Sequence, residues 1–361
     1  MTGRNAKVRC LAVLLSSAAL WPAAAGKATA GFITLSVPNS AATSATGLSD
    51  AYVTGYFTDQ KGDHGFVYDI SAKQYSTLDY PKATRTQPQG VSGNNVAGYY
   101  VSDDSHGFLY DLSTKKYTPI DPAGSSLTYI ATLSGNSVVG SFNDNKGTTH
   151  AFLYDVSAKN YLTLDPPGSV RSFGQSVSGK NVVGGFDDEK GNKHGFLYNV
   201  TTKTYTIFDA KDGGGTLPTS ISGNNIVGDY FDGNQDEHGF VLILGKSKKT
   251  FDPIGSTKTT ATGVSGNNVV GSYTDGKGTH GYLYDLGTGF YSTLDAPGST
   301  ATYPQGVSGT TVAGYYTDGK GVTRSFLYTP NPEPGSVTLL GIGMACVAAC
   351  GWRRRLGSRA S

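Results

Sequence analysis

Short apolar stretches alternate with turns rich in glycine, asparagine and aspartate along most of the chain. The segment Ser265–Gly271, which reads Ser-Gly-Asn-Asn-Val-Val-Gly, returns about every 43 residues. Further copies cover 92–98, 134–140, 178–184, 222–228, a looser 308–314 and a degenerate 49–55. Because the period is nearly fixed, the pattern predicts a repeat protein of seven units.

Each repeat divides into four pieces of strand length. The last one reads Tyr291–Asp295, Thr302–Ser308, Val312–Thr317 and Arg324–Tyr328, separated by short turns. The turn between the second and third pieces begins with glycine in six copies and is Gly-Asn-Asn in three of them, which suits a tight hairpin that needs positive φ. Three hairpins and one longer connection per repeat are typical of a propeller blade.

The repeats fill residues 31–330 with almost nothing left over. The segment Phe32–Leu35 aligns with Tyr291–Leu294, and the body ends after Ser325–Tyr328, just before the next strand would begin. The first strand can therefore complete the last blade and leave no free edge. The predicted fold is an all-β, seven-bladed β-propeller of four-stranded blades, with an open β-solenoid as the competing architecture.

Composition agrees with a strand-rich body. Glycine is present 50 times and tyrosine 23 times, and 16% of the residues are charged. Such a mixture fits neither a helical nor a disordered protein. The body contains no cysteine, since Cys10, Cys346 and Cys350 lie near the ends, so its stability must come from packing and strand pairing.

Charge narrows the choice of partners. The formal net charge of +2 comes from the two ends, because residues 31–330 contain 21 bases and 26 acids. A mildly acidic body without a basic stripe argues against a nucleic-acid partner.

The first 30 residues have the three parts of a secretory signal peptide. Arg4, Lys7 and Arg9 precede an apolar run from Cys10 to Leu20, and small-residue cleavage sites follow at 23–25 and 28–30. Because Cys10 stands at the start of the apolar run rather than at its end, a lipoprotein signal is not expected. The alternative is an N-terminal helix of the fold.

The C-terminal residues 331–361 have the order of a sorting signal. A short proline motif comes first, then the apolar run Val337–Cys350, then a basic stop; the motif residues are Pro332, Glu333, Pro334, Arg353, Arg354 and Arg355. This order resembles the PEP-CTERM signal of Gram-negative bacteria. The resemblance implies a transmembrane sorting helix, processing by a membrane protease of the exosortase type, and association with exopolysaccharide and biofilm matrix. A plain C-terminal membrane anchor is the alternative.

A histidine-centred triplet follows the glycine-rich segment in six repeats. The histidines, 42 to 44 residues apart, are His64, His106, His150, His194, His238 and His280, and the seventh repeat has Arg324 instead. The form His150-Ala151-Phe152 resembles the HAF repeat of extracellular bacterial proteins, which implies export but no known activity. Equivalent positions in different blades lie on a circle, so we expect these histidines to fix their blades rather than converge on a metal.

Other recurring polar residues are also interpreted as structural. Asp79, Asp165 and Asp295 recur in a Leu-Asp-x-Pro connection, where we expect them to cap the turn between blades. The aspartate-rich turns around 187–190 and 232–236 lack the alternating oxygen spacing of a calcium loop. No cofactor and no metal ligand are therefore predicted, with calcium at these turns as the alternative.

A specific site is expected where the repeats differ, because shared residues build the scaffold. The clearest departures are the segments 211–215 and 243–249. Tyr99, Tyr100, Tyr315 and Tyr316 could stack on sugar rings, or pack within the blades. The sequence indicates no catalytic residue and does not locate a ligand-binding residue.

These observations favour an exported, non-enzymatic interaction module at the cell surface or outside the cell, held transiently or stably in the inner membrane by its C-terminal helix. It would act through polysaccharide or protein contacts in the matrix. The alternative is a periplasmic or extracellular propeller hydrolase or lyase with a site at the channel mouth. An enzyme should show non-repeating polar residues with perturbed acidity at one mouth, whereas a scaffold should show near-uniform blades. A purely structural coat protein is the third possibility.

Overall fold

The computed structural model describes residues 31–211 and 214–330 of the chain. These residues form 28 β-strands, and strand pairing groups them into seven antiparallel units of four. We call these units blades 1 to 7 and name the strands of each blade inner, second, third and outer in the order of pairing. The predicted signal peptide and sorting helix lie outside the described residues.

Blades 1 to 3 follow one another along the chain. Blade 1 contains β2 to β5, which are Ala42–Leu48, Tyr52–Asp59, Gly62–Asp69 and Gln74–Leu78. Blade 2 contains β6 to β9, which are Arg85–Ser92, Asn95–Val101, Ser105–Asp111 and Lys116–Ile120. Blade 3 contains β10 to β13, which are Ser125–Ser134, Ser137–Asp144, Thr149–Asp155 and Asn160–Leu164.

Blades 4 to 6 repeat the arrangement. Blade 4 contains β14 to β17, which are Ser169–Ser178, Asn181–Asp188, Lys193–Asn199 and Thr204–Phe208. Blade 5 contains β18 to β21, which are Thr216–Ser222, Asn225–Phe231, Glu237–Ile243 and Ser247–Phe251. Blade 6 contains β22 to β25, which are Lys258–Ser265, Asn268–Asp275, Gly278–Asp285 and Tyr291–Thr293.

Blade 7 takes its outer strand from the other end of the body. Its first three strands are β26 (Ser299–Ser308), β27 (Thr311–Asp318) and β28 (Thr323–Thr329), and β1 (Gly31–Leu35) pairs antiparallel with β28. The inner strand of blade 1 packs beside the inner strands of both blade 2 and blade 7. The ring is therefore closed as the sequence predicted, and the described residues form a β-propeller rather than an open solenoid.

The inner strands line a narrow central channel. Each carries a β-bulge at the same level, for example between Ala45 and Gly47 in β2. A cavity of about 180 Å³ is lined by residues of all seven inner strands, none of them charged. Thr46, Thr219 and Thr262 each donate a hydrogen bond across to a carbonyl of the next inner strand, at 2.6, 2.6 and 2.8 Å.

One aromatic ring per blade forms the centre of the core. It is the last residue of the histidine-centred triplet, and in every blade it is 0% exposed: Phe66, Phe108, Phe152, Phe196, Phe240, Tyr282 and Phe326. Around each ring the buried side chains come from two successive blades. Leu35 and Ala313 of blade 7, for example, pack with Val53 and Phe66 of blade 1.

The glycine that ends each Ser-Gly-Asn-Asn-Val-Val-Gly segment makes room for this ring. A Cβ on Gly184 would lie 2.1 Å from the carbonyl oxygen of Phe173 and 2.7 Å from the Phe196 ring. The carbonyl contact is 1.9 to 2.3 Å in all seven blades, at Gly55, Gly98, Gly140, Gly184, Gly228, Gly271 and Gly314. The missing side chain of the glycine leaves the space that the aromatic ring fills, which explains why both residues recur with the repeat.

Candidate functional site at the upper channel mouth

The two ends of the channel are built from different turns. The turns between second and third strands, and the connections between blades, lie at one end, which we call the upper face. The turns between inner and second strands lie at the opposite, lower face. The histidines stand at the start of the third strands, and Asp79 and its equivalents at the end of the outer strands, so both belong to the upper face.

In five blades the histidine lies between two carboxylates. His64 Nδ1 is 3.0 Å from Asp79, and its Nε2 is 3.2 Å from Asp59 at the end of the second strand. We call a histidine held between two aspartates in this way a clamp. The other four clamps are His150 with Asp144 and Asp165, His194 with Asp188 and Asp209, His238 with Asp232 and Asp252, and His280 with Asp275 and Asp295. Each histidine also packs on an aromatic side chain of the second strand, such as Phe57 beside His64.

The two exceptions lack one carboxylate each. Blade 2 has Ser102 after its second strand, and Asp121, at 3.2 Å, is the one carboxylate among the described residues that pairs with His106. Blade 7 has Ser36 after its outer strand, and Arg324 occupies the histidine position with Asp318 as its partner at 2.8 Å. The predicted role of the histidines in fixing their blades is compatible with these contacts and stays a prediction.

The clamp carboxylates are bound by their own turns as well. Asp188 Oδ1 accepts hydrogen bonds from the backbone N–H groups of Lys190 and Asn192, both at 2.8 Å. A side-chain hydrogen bond from Asn192, together with these N–H groups and against the effect of partial burial, lowers the pKa of Asp188 to about 2. Within the described residues, no three or more His, Cys, Asp or Glu side chains are arranged to hold a metal ion.

The clamps change the basicity of two histidines. Partial burial opposes protonation of His194, but the hydrogen bond and charge of Asp209, with Asp188, raise its pKa overall. The hydrogen bond to Asp295 is the main reason that the pKa of His280 is raised. Both imidazoles are therefore better bases in the folded protein than in water.

The upper mouth of the channel is lined by residues that differ from blade to blade. Its side chains come from one position on each inner strand and from the residue that faces it on the second strand. The seven facing pairs are Ser44–Tyr56, Gln87–Tyr99, Tyr129–Ser141, Phe173–Gly185, Leu217–Asp229, Thr260–Ser272 and Tyr303–Tyr315. This ring of pairs is non-repeating, unlike the core beneath it.

One side of the mouth is aromatic. Five tyrosines from blades 7, 1, 2 and 3 form what we call the tyrosine arc: Tyr303, Tyr315, Tyr56, Tyr99 and Tyr129. Tyr303 and Tyr315 stack with ring centroids 5.1 Å apart, and Tyr99 meets Tyr129 edge-on at 5.5 Å. Tyr129 is 44% exposed. The arc gives the mouth apolar ring faces that are open to solvent.

The other side of the mouth contains a buried carboxyl group. Asp229 of blade 5 is 8% exposed, and its Oδ1 accepts one hydrogen bond, at 2.6 Å, from the backbone N–H of Ala261. Burial raises the pKa of Asp229 to about 8, although the Ala261 N–H and the nearby charge of Lys258 oppose the shift. Glu237, whose charge adds to the rise, is paired with Lys258 at 2.7 Å.

Asp229 lines an open cavity of about 400 Å³, which we call the Asp229 cavity. The other lining residues come from blades 6 and 7: Lys258, Thr260, Thr262, Ser272, Thr274, Thr279, Tyr303 and Gln305. The cavity thus combines a neutral carboxyl, a cation, several hydroxyl groups and one face of the tyrosine arc. These are the parts that proton transfer to a bound substrate requires.

The two segments that depart most clearly from the repeat in sequence do not line the Asp229 cavity. Lys211, Gly214 and Gly215 line a second cavity of about 560 Å³ beside the His194 clamp, and Lys211 borders two residues outside the described ranges. The segment 243–249 lies at the outer edge of blade 5, away from the channel. Of the four tyrosines, Tyr99 and Tyr315 belong to the mouth, whereas Tyr100 and Tyr316 face the blade interior; Tyr100 stacks on Tyr80 at 3.6 Å.

Sequence reasoning missed Asp229. The signal was available, because the residue after the last glycine of the repeated segment is Tyr, Tyr, Ser, Gly, Asp, Ser and Tyr in the seven copies. The burial of Asp229 could not be inferred from the sequence, because it depends on the inner strand of the next blade.

Comparison with known proteins agrees with the fold. The sequence matches no protein-family model and no curated protein at a significant level. The described fold is similar to the β-propeller domain of the Trilobed protease from Pyrococcus furiosus, with a TM-score of 0.60 and 11% identity over 82% of this chain and 97% of that one. It is also similar to oligogalacturonate lyase from Vibrio parahaemolyticus, with a TM-score of 0.59 and 10% identity over 83% of this chain and 97% of that one.

A third similar structure is the acylaminoacyl peptidase of Pyrococcus horikoshii, with a TM-score of 0.58 and 10% identity over 80% of this chain. The chain spans about half the length of that peptidase, 51%. At these identities the similarity establishes the fold: the described residues form a β-propeller of seven four-stranded blades. None of them, over 31–211 and 214–330, forms a helix long and apolar enough to cross a membrane.

The expectation of a non-enzymatic interaction module, and with it the expectation that the chain is not an enzyme, is wrong. The similar structures are the β-propeller domain of a protease, a peptidase and a lyase. The structure also has the feature that separated the two hypotheses, since the non-repeating upper mouth holds a carboxyl group of strongly perturbed acidity.

Proposed function

We propose that the chain is an exported propeller hydrolase or lyase whose reacting centre is the Asp229 cavity. The observation that carries the proposal is the carboxyl of Asp229, which is buried, has a pKa of about 8, and lines a cavity open to the channel mouth. A carboxyl with this pKa is protonated at neutral pH, so it can donate a proton to a leaving group.

The neighbouring residues suit the same role. Lys258, 53% exposed on its side chain, supplies positive charge beside the cavity and can stabilise a developing anion. Thr260, Ser272 and Thr274 supply hydroxyl groups that can hold a polar substrate. The similar structures support a hydrolase or lyase, because one is a domain of a protease, one is a peptidase and one is named as a lyase.

The cellular location of the protein is also part of the proposal. Residues 1–30 would direct export, and Pro332, Glu333 and Pro334 would mark the chain for an exosortase-type protease. Before processing, the apolar run ahead of Arg353 would hold the chain in the inner membrane. The mature protein would then act at the cell surface or in the matrix, where its partners would be exopolysaccharide or surface proteins.

The experiment is a substrate screen of the full-length chain in mild detergent, on glycan, peptide and ester substrates, with two variants in parallel. Asp229→Asn removes the acid but keeps its size and its acceptor for Ala261. Asp103→Asn, in an exposed turn of blade 2, is the matched control.

We expect turnover of one substrate class, lowered about 100-fold or more in Asp229→Asn with little change in KM, and unchanged in Asp103→Asn. Wild-type turnover should also fall above pH 8, where Asp229 loses its proton. Equal turnover by the two variants, or no turnover of any class, would overturn the proposal.

A further inference from the structure

Three blades place a cation at the same position of the upper mouth. Arg85 of blade 2, Arg171 of blade 4 and Lys258 of blade 6 each stand two residues before the mouth residue of their inner strand. Their facing residues on the second strands are Val101, Asp187 and Thr274, which confirms that the register is the same. The other four blades have Ala42, Leu127, Gly215 and Ala301 at this level.

Each cation is paired with a carboxylate that is far less exposed. The side chains of Arg85, Arg171 and Lys258 are 58%, 53% and 53% exposed, whereas those of their partners Asp63, Asp187 and Glu237 are 13%, 7% and 16% exposed. The positive ends therefore face solvent and the negative ends face the protein. Each pair is neutral overall, but its cationic end is the part that a ligand at the mouth can reach.

Aromatic faces lie next to these cations. Arg85 is close enough to Tyr99 for its charge to act on the tyrosine hydroxyl. The guanidinium of Arg171 stands 5.9 Å from the centre of the Phe173 ring, and Lys258 lines the Asp229 cavity together with Tyr303. Arg171 thus contacts a ring face directly, and the other two cations share the mouth with a tyrosine.

We propose that the upper mouth binds an acidic polysaccharide, a chain of uronate sugars, with sugar carboxylates on Arg85, Arg171 and Lys258 and sugar faces on the adjacent aromatic rings. This inference rests on the proposed function, because it names the substrate class of the same site. A uronate chain carries one carboxylate and one apolar pyranose face per residue, which is the combination that the rim offers.

The same features argue against a nucleic acid. Nucleic-acid surfaces neutralise many phosphates with a dense basic stripe, whereas this rim has three cations on alternate blades.

The test is a binding titration of the full-length chain in mild detergent with polygalacturonate and with fully methyl-esterified pectin, which has the same backbone without the charge. We expect saturable binding of polygalacturonate, at least about 10-fold tighter than that of the ester, and weakened by salt. Arg85→Gln, Arg171→Gln and Lys258→Gln should each weaken it about 3- to 10-fold, and the triple variant about 50-fold or more. Lys180→Ala, on the lower face, is the control and should bind as the wild type does.

Loss of a cation weakens the pairing of a carboxylate that is at most 16% exposed, so a second set of variants guards against misfolding. Arg85→Lys keeps the charge and should keep binding. The double variant Arg85→Gln with Asp63→Asn removes both charges and should fold but bind weakly. Equal binding of the ester and the acid, equal binding of DNA, or full binding by the triple variant would overturn the inference. Binding of polygalacturonate without turnover would support this inference and overturn the proposed function. Turnover of a neutral substrate alone would support the proposed function and overturn this inference.

Discussion

The carboxyl of Asp229 in blade 5 accepts a hydrogen bond of 2.6 Å from the backbone N–H of Ala261 in blade 6. A side chain of one blade is thereby fixed to the inner strand of the next, at the level where the channel opens. The two neighbouring inner strands bury the carboxyl, and a single hydrogen bond replaces only part of the hydration that it loses. The raised pKa of Asp229 follows from that loss.

Asp229→Asn should stabilise the protein. The pKa of Asp229 rises from 3.8 in the unfolded chain to about 8 in the folded one, so its contribution to stability is greatest below pH 3.8 and is lost as the pH rises toward 8. At pH 7 the neutral amide should raise the free energy of unfolding by up to about 4 kcal/mol, because each pH unit above 3.8 costs about 1.4 kcal/mol. Urea unfolding followed by circular dichroism at pH 5 and pH 8 measures the effect. A gain that is equal at both values would contradict it, and Asp103→Asn should show none.

Two adjacent glycines of blade 4 should respond differently to alanine. In Gly184→Ala the new Cβ would lie 2.1 Å from the Phe173 carbonyl oxygen, which is backbone and cannot move aside. We expect a loss of about 3 kcal/mol or more in the free energy of unfolding, or no folded protein. In Gly185→Ala the nearest atom is 3.5 Å away, an ordinary contact, and the loss should stay below about 1 kcal/mol. Similar melting temperatures for the two variants would contradict the role of Gly184 in admitting the Phe196 ring.

This glycine also shows why the fold could be predicted from the sequence. Glycine and Phe recur because every blade needs the same close approach, and Phe32–Leu35 could be aligned with Tyr291–Leu294 because all blades share one strand pattern. The repeat therefore contained the information about strand number and closure.

The candidate site could not be predicted in the same way. Asp229 follows Gly228 at a position that varies among the copies, and the variation was visible in the sequence. Its acidity, however, depends on Ala261 and Lys258 of the next blade, residues about 30 positions away along the chain. The ring of three cations was also hidden, because Arg85, Arg171 and Lys258 stand at equivalent positions only once the strand register is known.

Closure of the ring through β1 should contribute strongly to stability. Leu35 is 1% exposed and packs between blades 7 and 1, so Leu35→Ala should lower the free energy of unfolding by about 2–5 kcal/mol. Ile33 lies on the same strand but is 44% exposed, and Ile33→Ala should cost less than about 1 kcal/mol. Differential scanning calorimetry of both variants measures the difference. If Leu35→Ala and Ile33→Ala have the same melting temperature, then β1 does not close the ring in solution.

The histidine clamps should make stability depend on pH in a defined direction. The pKa of His194 is raised above 6.5 in the folded protein, so its contribution to stability is fully present below pH 6.5 and is lost as the pH rises through the folded value. The partner Asp188, with a pKa of about 2, acts in the opposite direction: its contribution is present above pH 3.8 and is lost as the pH falls toward 2.

NMR titration of the imidazole C–H signals should place the pKa of His194 above 6.5, and Asp209→Asn should lower it, whereas Asp103→Asn should not. In His194→Gln the fall in unfolding free energy from pH 6.5 to 8.5 should be smaller than in the wild type. An unshifted His194, or an Asp209→Asn variant that titrates as the wild type does, would mean that the clamp does not hold the charged imidazole.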